Sequence, residues 1–213
     1  MTRRSRLRTF TSFIIIGACG YAISGAVTLL RYSLTTAFEG KSEDAKAFSS
    51  YADVFPVAYL ARQRLAQAAS RGQPAQMIDP FTSLLSIAPA DGAAWLTLAE
   101  AEAFAGRPAD RVVRALAMSS LTAPSESRVM TARAVFTLQI WNYVPPEAKA
   151  VFISDLAWDF DNMSKDQVAY MRAALAKIPE DARKRIATDL QAAGKRGERP
   201  LRELNLQTSA APP

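Results

Sequence analysis

Val144-Pro145-Pro146-Glu147-Ala148-Lys149 and Ile178-Pro179-Glu180-Asp181-Ala182-Arg183 are one pattern written twice, 34 residues apart. The same spacing relates Phe152-Ile153-Ser154-Asp155-Leu156 to Ile186-Ala187-Thr188-Asp189-Leu190. Phe136 and Tyr170 carry it back into the preceding segment. Each copy opens on proline, which suits the first turn of a helix and is costly in its interior. A fixed period of this length marks supersecondary units that bury their apolar faces on one another.

Working outward, the punctuation stays helical. Pro56 opens an apolar-periodic run through Ala69, ending near Gly72. Asp79-Pro80 reads as an N-cap with proline at the first helical position, predicting a helix to Ala88. Asp91 caps a helix carrying Trp95, Leu98, Ala99 and Glu102 that stops at Gly106. Pro108 opens another to about Leu121, and Ser125 caps one reaching Trp141. Pro145-Pro146 open a helix to about Phe160, and Ser164-x-x-Gln167 has capping-box spacing for one to Lys177. Pro179 opens the last, which ends at Gly194. No stretch shows sustained strand alternation. Forty alanines against nine glycines agree with helix. The expected fold is all-α: one N-terminal transmembrane helix, then antiparallel helical hairpins joined by short loops.

A two-helix period of 34 is that of the tetratricopeptide (TPR) repeat. Trp95-x-x-Leu98-Ala99 resembles that family's W-x-x-L-G. Gly106 falls at its mid-repeat turn, Pro124 closes the unit, and Pro89 precedes Trp95 by six residues. The region therefore resembles a TPR-like α-solenoid. It departs from the pattern at Glu102, where an aromatic is expected, and at Val112, Leu116 and Ser119, which replace a small-large-small trio. The 124–158 and 158–191 units match each other better than the family pattern. The resemblance implies about three units, with the 56–88 hairpin as an N-terminal cap or a fourth. Residues 80–160 also resemble small anchored TPR-like proteins of alphaproteobacteria linked with envelope polysaccharide production. That likeness runs through Leu85 to Pro89, Trp95-x-x-Leu98-Ala99, Ala115-Leu116-Ala117-x-Ser119, Arg133 and Trp141.

The 213 residues carry a formal charge of +6, and most of that charge is at the ends. Arg3, Arg4, Arg6 and Arg8 open the chain, and Lys195, Arg196, Arg199 and Arg202 outnumber Glu198 and Glu203 near its close. Residues 32–193 hold 17 basic and 18 acidic side chains, so a phosphate-binding groove, and with it a nucleic-acid partner, is not expected. Phe10 to Leu30 is uncharged for 21 residues, about 31 Å as a helix, enough for a bilayer core. Basic residues before it put the N-terminus in the cytoplasm and the rest across the membrane. A cleaved signal peptide ending near Ser24-Gly25-Ala26, or a lipidated Cys19 after Ile16-Gly17-Ala18, are rival readings. Apolar residues running on to Leu30 favour a retained anchor. Ala18, Ala22 and Ala26, four apart, have the spacing of helix association in lipid, and so of a homo-oligomer through this helix, although Ala and Gly are common in such helices and that is the plainer reading. The expected organisation is 1–9 cytoplasmic, 10–30 signal anchor, 31–55 juxtamembrane linker, 56–193 repeat domain and 194–213 disordered tail. Leu201, Leu204 and Leu206 in that tail could dock on a partner or back on the repeat groove, with a solvated tail as the plainer reading.

Chemistry is sparse. Without histidine there is no His-based triad or His-ligated metal, and one cysteine makes no internal disulfide or Cys-rich zinc site. Asp155 and Asp159, four apart on one helix face, are a candidate cation or partner site, although such pairs more often form a solvated face. Trp141 and Trp158 are candidate groove aromatics, with packing as the plainer reading. Neither a catalytic constellation, a cofactor nor a metal is expected. The expected function is a non-enzymatic scaffold of the bacterial inner membrane, its periplasmic domain binding envelope or inner-membrane proteins, plausibly in polysaccharide synthesis or export. The alternative is a periplasmic glycan or glycolipid binder stacking sugars on exposed tryptophans.

Overall fold

The computed structural model describes residues 17–18, 21–34 and 48–206. Among them every regular element is helical, so the chain is all-α over this range. Helix α1 covers residues 21–34. It is followed by α2 (Ala58–Ala69), α3 (Pro74–Ile87), α4 (Gly92–Phe104), α5 (Ala109–Thr122) and α6 (Ser127–Gln139). Then come α7 (Pro146–Asp159), α8 (Lys165–Leu175), α9 (Glu180–Ala192) and α10 (Lys195–Glu203). Two compact units divide at Gly72–Gln73, between the two helices that the sequence groups as the 56–88 hairpin.

In the first unit, Tyr32 is buried with Phe48, Val57 and Ala61. Its ring meets Phe48 and Tyr51 edge-on at 5.9 and 5.7 Å. The large apolar side chains on the rest of α1 are uncovered: Tyr21, Ile23, Val27, Leu29, Leu30 and Leu34 are all exposed. Thr28 turns its hydroxyl inward to donate to the Ser24 carbonyl at 2.9 Å. No helix among the described residues is long and apolar enough to cross a membrane. Of the expected span, residues 10–16 and 19–20 lie outside the described residues, as do the basic residues 1–9.

The second unit starts earlier than the sequence suggests. Asp79-Pro80 does not open α3. Pro74 stands at its first turn, and the Gln76 side chain accepts from the Gln73 N–H at 3.4 Å, leaving Pro80 inside the helix. Asp91 caps α4 as expected, its carboxylate accepting from the Ala94 N–H at 2.9 Å. Gly106, at φ +67°, ends α4, and the Arg107 N–H reaches back to the Glu102 carbonyl at 2.9 Å, a Schellman closure. Helix α6 begins at Ser127 rather than at a Ser125 cap. The Ser164–Gln167 capping box forms as expected, with bonds of 2.8 and 3.2 Å.

Helices pack first on their sequence neighbours: α3 on α4, α4 on α5, and α6 on α7. They also pack on the next but one, joining α4 to α6 to α8 and α5 to α7 to α9. The result is two layers of alternate helices. The core of α6–α9 holds Phe152, Leu156, Met171, Leu175, Ile186 and Leu190. The 34-residue register is visible in it, because Phe152 and Ile186, and Leu156 and Leu190, are buried at matching places.

The expected disordered tail is corrected for residues 194–206. They form α10 and its last turn, and Leu201, Leu204 and Leu206 join the core. Neither docking on a partner nor seating in the repeat groove describes those leucines, which close the core of α6–α9. Gly194, at φ +62°, ends α9 and turns the chain back. Gly197 then lies so close to the Leu190 carbonyl that no Cβ would fit. Arg172 of α8 donates to the Glu203 carbonyl from Nε at 3.0 Å. A polar composition read as solvated hides three leucines that share one buried face. Residues 207–213 lie outside the described range.

Candidate functional site

Two arrangements stand out, one inside the fold and one on its surface. The inner one centres on Arg133 of α6, a guanidinium only 1% exposed. Its Nε and Nη2 donate to the two oxygens of Asp155 on α7 at 2.6 and 2.8 Å. Its Nη1 donates to Ser119 Oγ of α5 at 3.1 Å. The Ser119 hydroxyl in turn donates to the Gly92 carbonyl of α4 at 2.9 Å. Gly92 is required here, since a Cβ would collide with Ala123. One polar thread therefore crosses four helices. Burial raises the Asp155 carboxyl above its ordinary range, opposed by the Arg133 guanidinium. One turn later, Asp159 accepts from the Thr131 hydroxyl and, at 2.7 Å, from the Asn162 amide.

Asp155 and Asp159 do share a helix face, but that face points inward. Their exposures are 3% and 2%, and protein groups fill their hydrogen-bonding positions. They hold helices together; they offer nothing to a partner or a cation from solvent. The charge that completes the pair is Arg133, itself set among apolar neighbours in α6.

The two tryptophans have different surroundings. Trp141 is buried, edge-on to Phe152 at 5.5 Å, with Lys149 Nζ 4.8 Å from its ring centre. Trp158 is 59% exposed, and the Arg196 guanidinium of α10 lies 3.1 Å from its ring centre. One ring is thus largely core, and the other has a cation on one face. The Trp95 indole donates to the Pro89 carbonyl at 2.9 Å, tying the start of α4 to the turn before it.

The surface arrangement is a groove along the α4–α6–α8 layer. Its first part, about 430 Å³, is lined by Glu100 of α4, Val135, Phe136 and Gln139 of α6, and Asp166 and Tyr170 of α8. A second depression, about 330 Å³, shares Gln139 and Tyr170 and continues past Trp141 and Asn142 to Lys177. The Gln139 amide donates to the Tyr170 hydroxyl at 2.9 Å where the two parts meet. Exposed Phe104 packs edge-on to Phe136 at 6.0 Å. Partial burial raises the Glu100 carboxyl above its ordinary range, and no cation offsets it. Among the described residues neither Glu100 nor Asp166 is in an ion pair. Of the groove residues the sequence singles out Trp141 for such a role, and Phe136 and Tyr170 only as a repeated pair. The signal for the rest was that pair, since positions 34 apart on alternate helices line one surface.

No protein-family model, no curated protein and no solved structure matches the chain.

Proposed function

We propose that this chain is a non-enzymatic scaffold or accessory protein whose α4–α6–α8 groove holds a peptide segment of a partner protein. The observation that carries the reading is the groove itself: open, shared by three alternate helices, and mixing aromatic faces with amide and carboxylate groups. Stacked helical hairpins present extended surfaces of this kind, and such surfaces take peptides. We read the array as a divergent TPR-like solenoid on its 34-residue register. Residues 10–30 serve as the membrane anchor in this reading. The uncovered apolar side chains of α1 and the inward-turned Thr28 hydroxyl suit lipid, where polar groups need internal partners. With the N-terminus cytoplasmic, the groove faces the periplasm, where envelope proteins, including those of polysaccharide synthesis or export, are its partners.

The test is site-specific photo-crosslinking in cells with the full chain. A photoreactive residue at Gln139 should give discrete adducts with one or a few envelope proteins. The same residue at Arg185, an exposed position on α9, should not. Equal adduct patterns from both positions would remove the groove from the proposal. A reporter phosphatase fused after Pro213 should be active if the domain is periplasmic; an inactive fusion would reverse the topology.

A further inference from the structure

We infer that the groove selects a segment bearing a basic side chain, with a Lys or Arg seated between Glu100 and Asp166 and an apolar neighbour against Val135, Phe136 and Tyr170. This rests on the groove reading above and adds the chemistry of the occupant. Three observations lead to it. First, the two carboxylates line the same part of the groove from α4 and α8, on either side of α6. Second, neither is in an ion pair among the described residues, so both carboxylates are available to an incoming cation, unlike Asp110, Asp161, Glu180 and Asp181, which are paired with Arg114, Arg199, Lys184 and Arg185. Third, Glu100 is partly desolvated without a compensating cation, and its carboxyl is pushed up accordingly.

A half-buried carboxylate with no cation is a cost carried by the free protein. An incoming ammonium or guanidinium removes that cost and adds a charge-assisted hydrogen bond. Asp166 sits in the first turn of α8, where a negative charge is favoured by the helix N-terminus, and lines the same part of the groove as Glu100. The groove then reads as an anionic notch followed by an aromatic wall. At its far end stands Lys177, which repels a second basic residue there and gives the bound segment a direction. An acidic segment is disfavoured at the notch for the same reason.

The experiment is selection from a phage-displayed library of random heptapeptides on the full chain in detergent micelles. Wild type, Glu100→Gln/Asp166→Asn, Glu100→Lys and Tyr170→Ala/Gln139→Arg are run in parallel, each first shown to keep its helical circular dichroism. Wild type should enrich Lys or Arg at least threefold over the starting library, next to an apolar residue. Glu100→Gln/Asp166→Asn should lose that enrichment, and Glu100→Lys should shift it towards Asp or Glu. Peptides selected by wild type with no basic enrichment, or with enrichment unchanged in Glu100→Gln/Asp166→Asn, would overturn the inference and leave the groove standing. Selection unaffected by Tyr170→Ala/Gln139→Arg, or no peptide retained at all, would overturn the groove reading itself.

Discussion

Removing Arg133 should do more damage than any other single surface-neutral change in the second unit. Arg133→Met keeps most of the volume and leaves the Asp155 carboxyl, 3% exposed, without either of its two guanidinium bonds. Asp159 lies one turn along α7 and pushes the Asp155 carboxyl further up, so the buried group loses its counter-charge and its donors together. Breaking a buried ion pair from one side typically costs about 3–5 kcal/mol. For a unit of this size that corresponds to a fall in Tm of about 6–20 °C. Asp155→Leu should cost a similar amount, because it strands the guanidinium instead. The double variant should be far less damaged than the sum of the two, within about 2 kcal/mol of wild type, since an apolar pair replaces both charges. The Ser119 hydroxyl keeps its bond to the Gly92 carbonyl in all three. Thermal and urea unfolding followed by circular dichroism at pH 7, on the full chain in detergent, reads the whole cycle. A single variant within 1 kcal/mol of wild type, or a double variant equal to the sum of the singles, would refute the reasoning.

Ending the chain after Ala193 should lower Tm by more than 10 °C, because it removes Leu201, Leu204 and Leu206 from the core, each worth about 1.5–3 kcal/mol when buried; a loss under 3 °C would mean that α10 does not close that core. Gly197→Ala should reproduce part of that loss, about 1–3 kcal/mol, by forcing a Cβ against the Leu190 carbonyl, and faster hydrogen exchange confined to α10 would locate it. Glu100→Gln should stabilise the protein at pH 7. Burial raises the folded pKa of Glu100 above its unfolded value, so the folded state holds the proton more tightly and stability falls as pH rises through that window. The gain should shrink as pH falls and disappear near pH 3, below the unfolded value, where Glu100 is protonated in both states; melts showing the same gain at pH 7 and pH 3 would assign it to something other than charge.

Most helix starts were legible because they depend on local chemistry. Asp91, Pro108, Pro145, Ser164 and Pro179 each act within one turn, and each stands at the start of its helix. The failures are where a local signal met a competing one. Asp79-Pro80 looks like a start, but Pro74 with Gln73 and Gln76 begins the same helix six residues sooner. The tail looks solvated by composition, yet composition averages over a segment and packing depends on which face carries Leu201 and Leu204. The candidate site was harder still. Asp155 and Asp189 occupy equivalent places in the 34-residue repeat, but Asp155 is buried and Asp189 is exposed. The difference lies at the matching position one helix earlier, where Arg133 in one unit becomes Gln167 in the next. A carboxylate's role there is set by a residue 22 positions away, which neither its spacing nor its neighbours disclose.

The inner thread and the outer groove are linked through α6. Ala132, Val135, Phe136 and Gln139 of this helix line the groove, while Arg133 and Thr137 face the cavity against α5 and α7. These stripes are adjacent, so a rotation of α6 by one residue, about 100°, that brought Arg133 into the groove would turn Val135 out of it. Burial of Val129, Met130, Phe136 and Leu138 resists such a slip. Apolar contact is non-directional, however, and does not by itself single out one angle of the helix. A bidentate guanidinium–carboxylate pair is directional, and it cannot survive the rotation. The same pair adds little net stability over an apolar substitute. Its weight therefore falls on orientation: it fixes which face of α6 meets the neighbouring helices, and so which side chains are left to meet a partner.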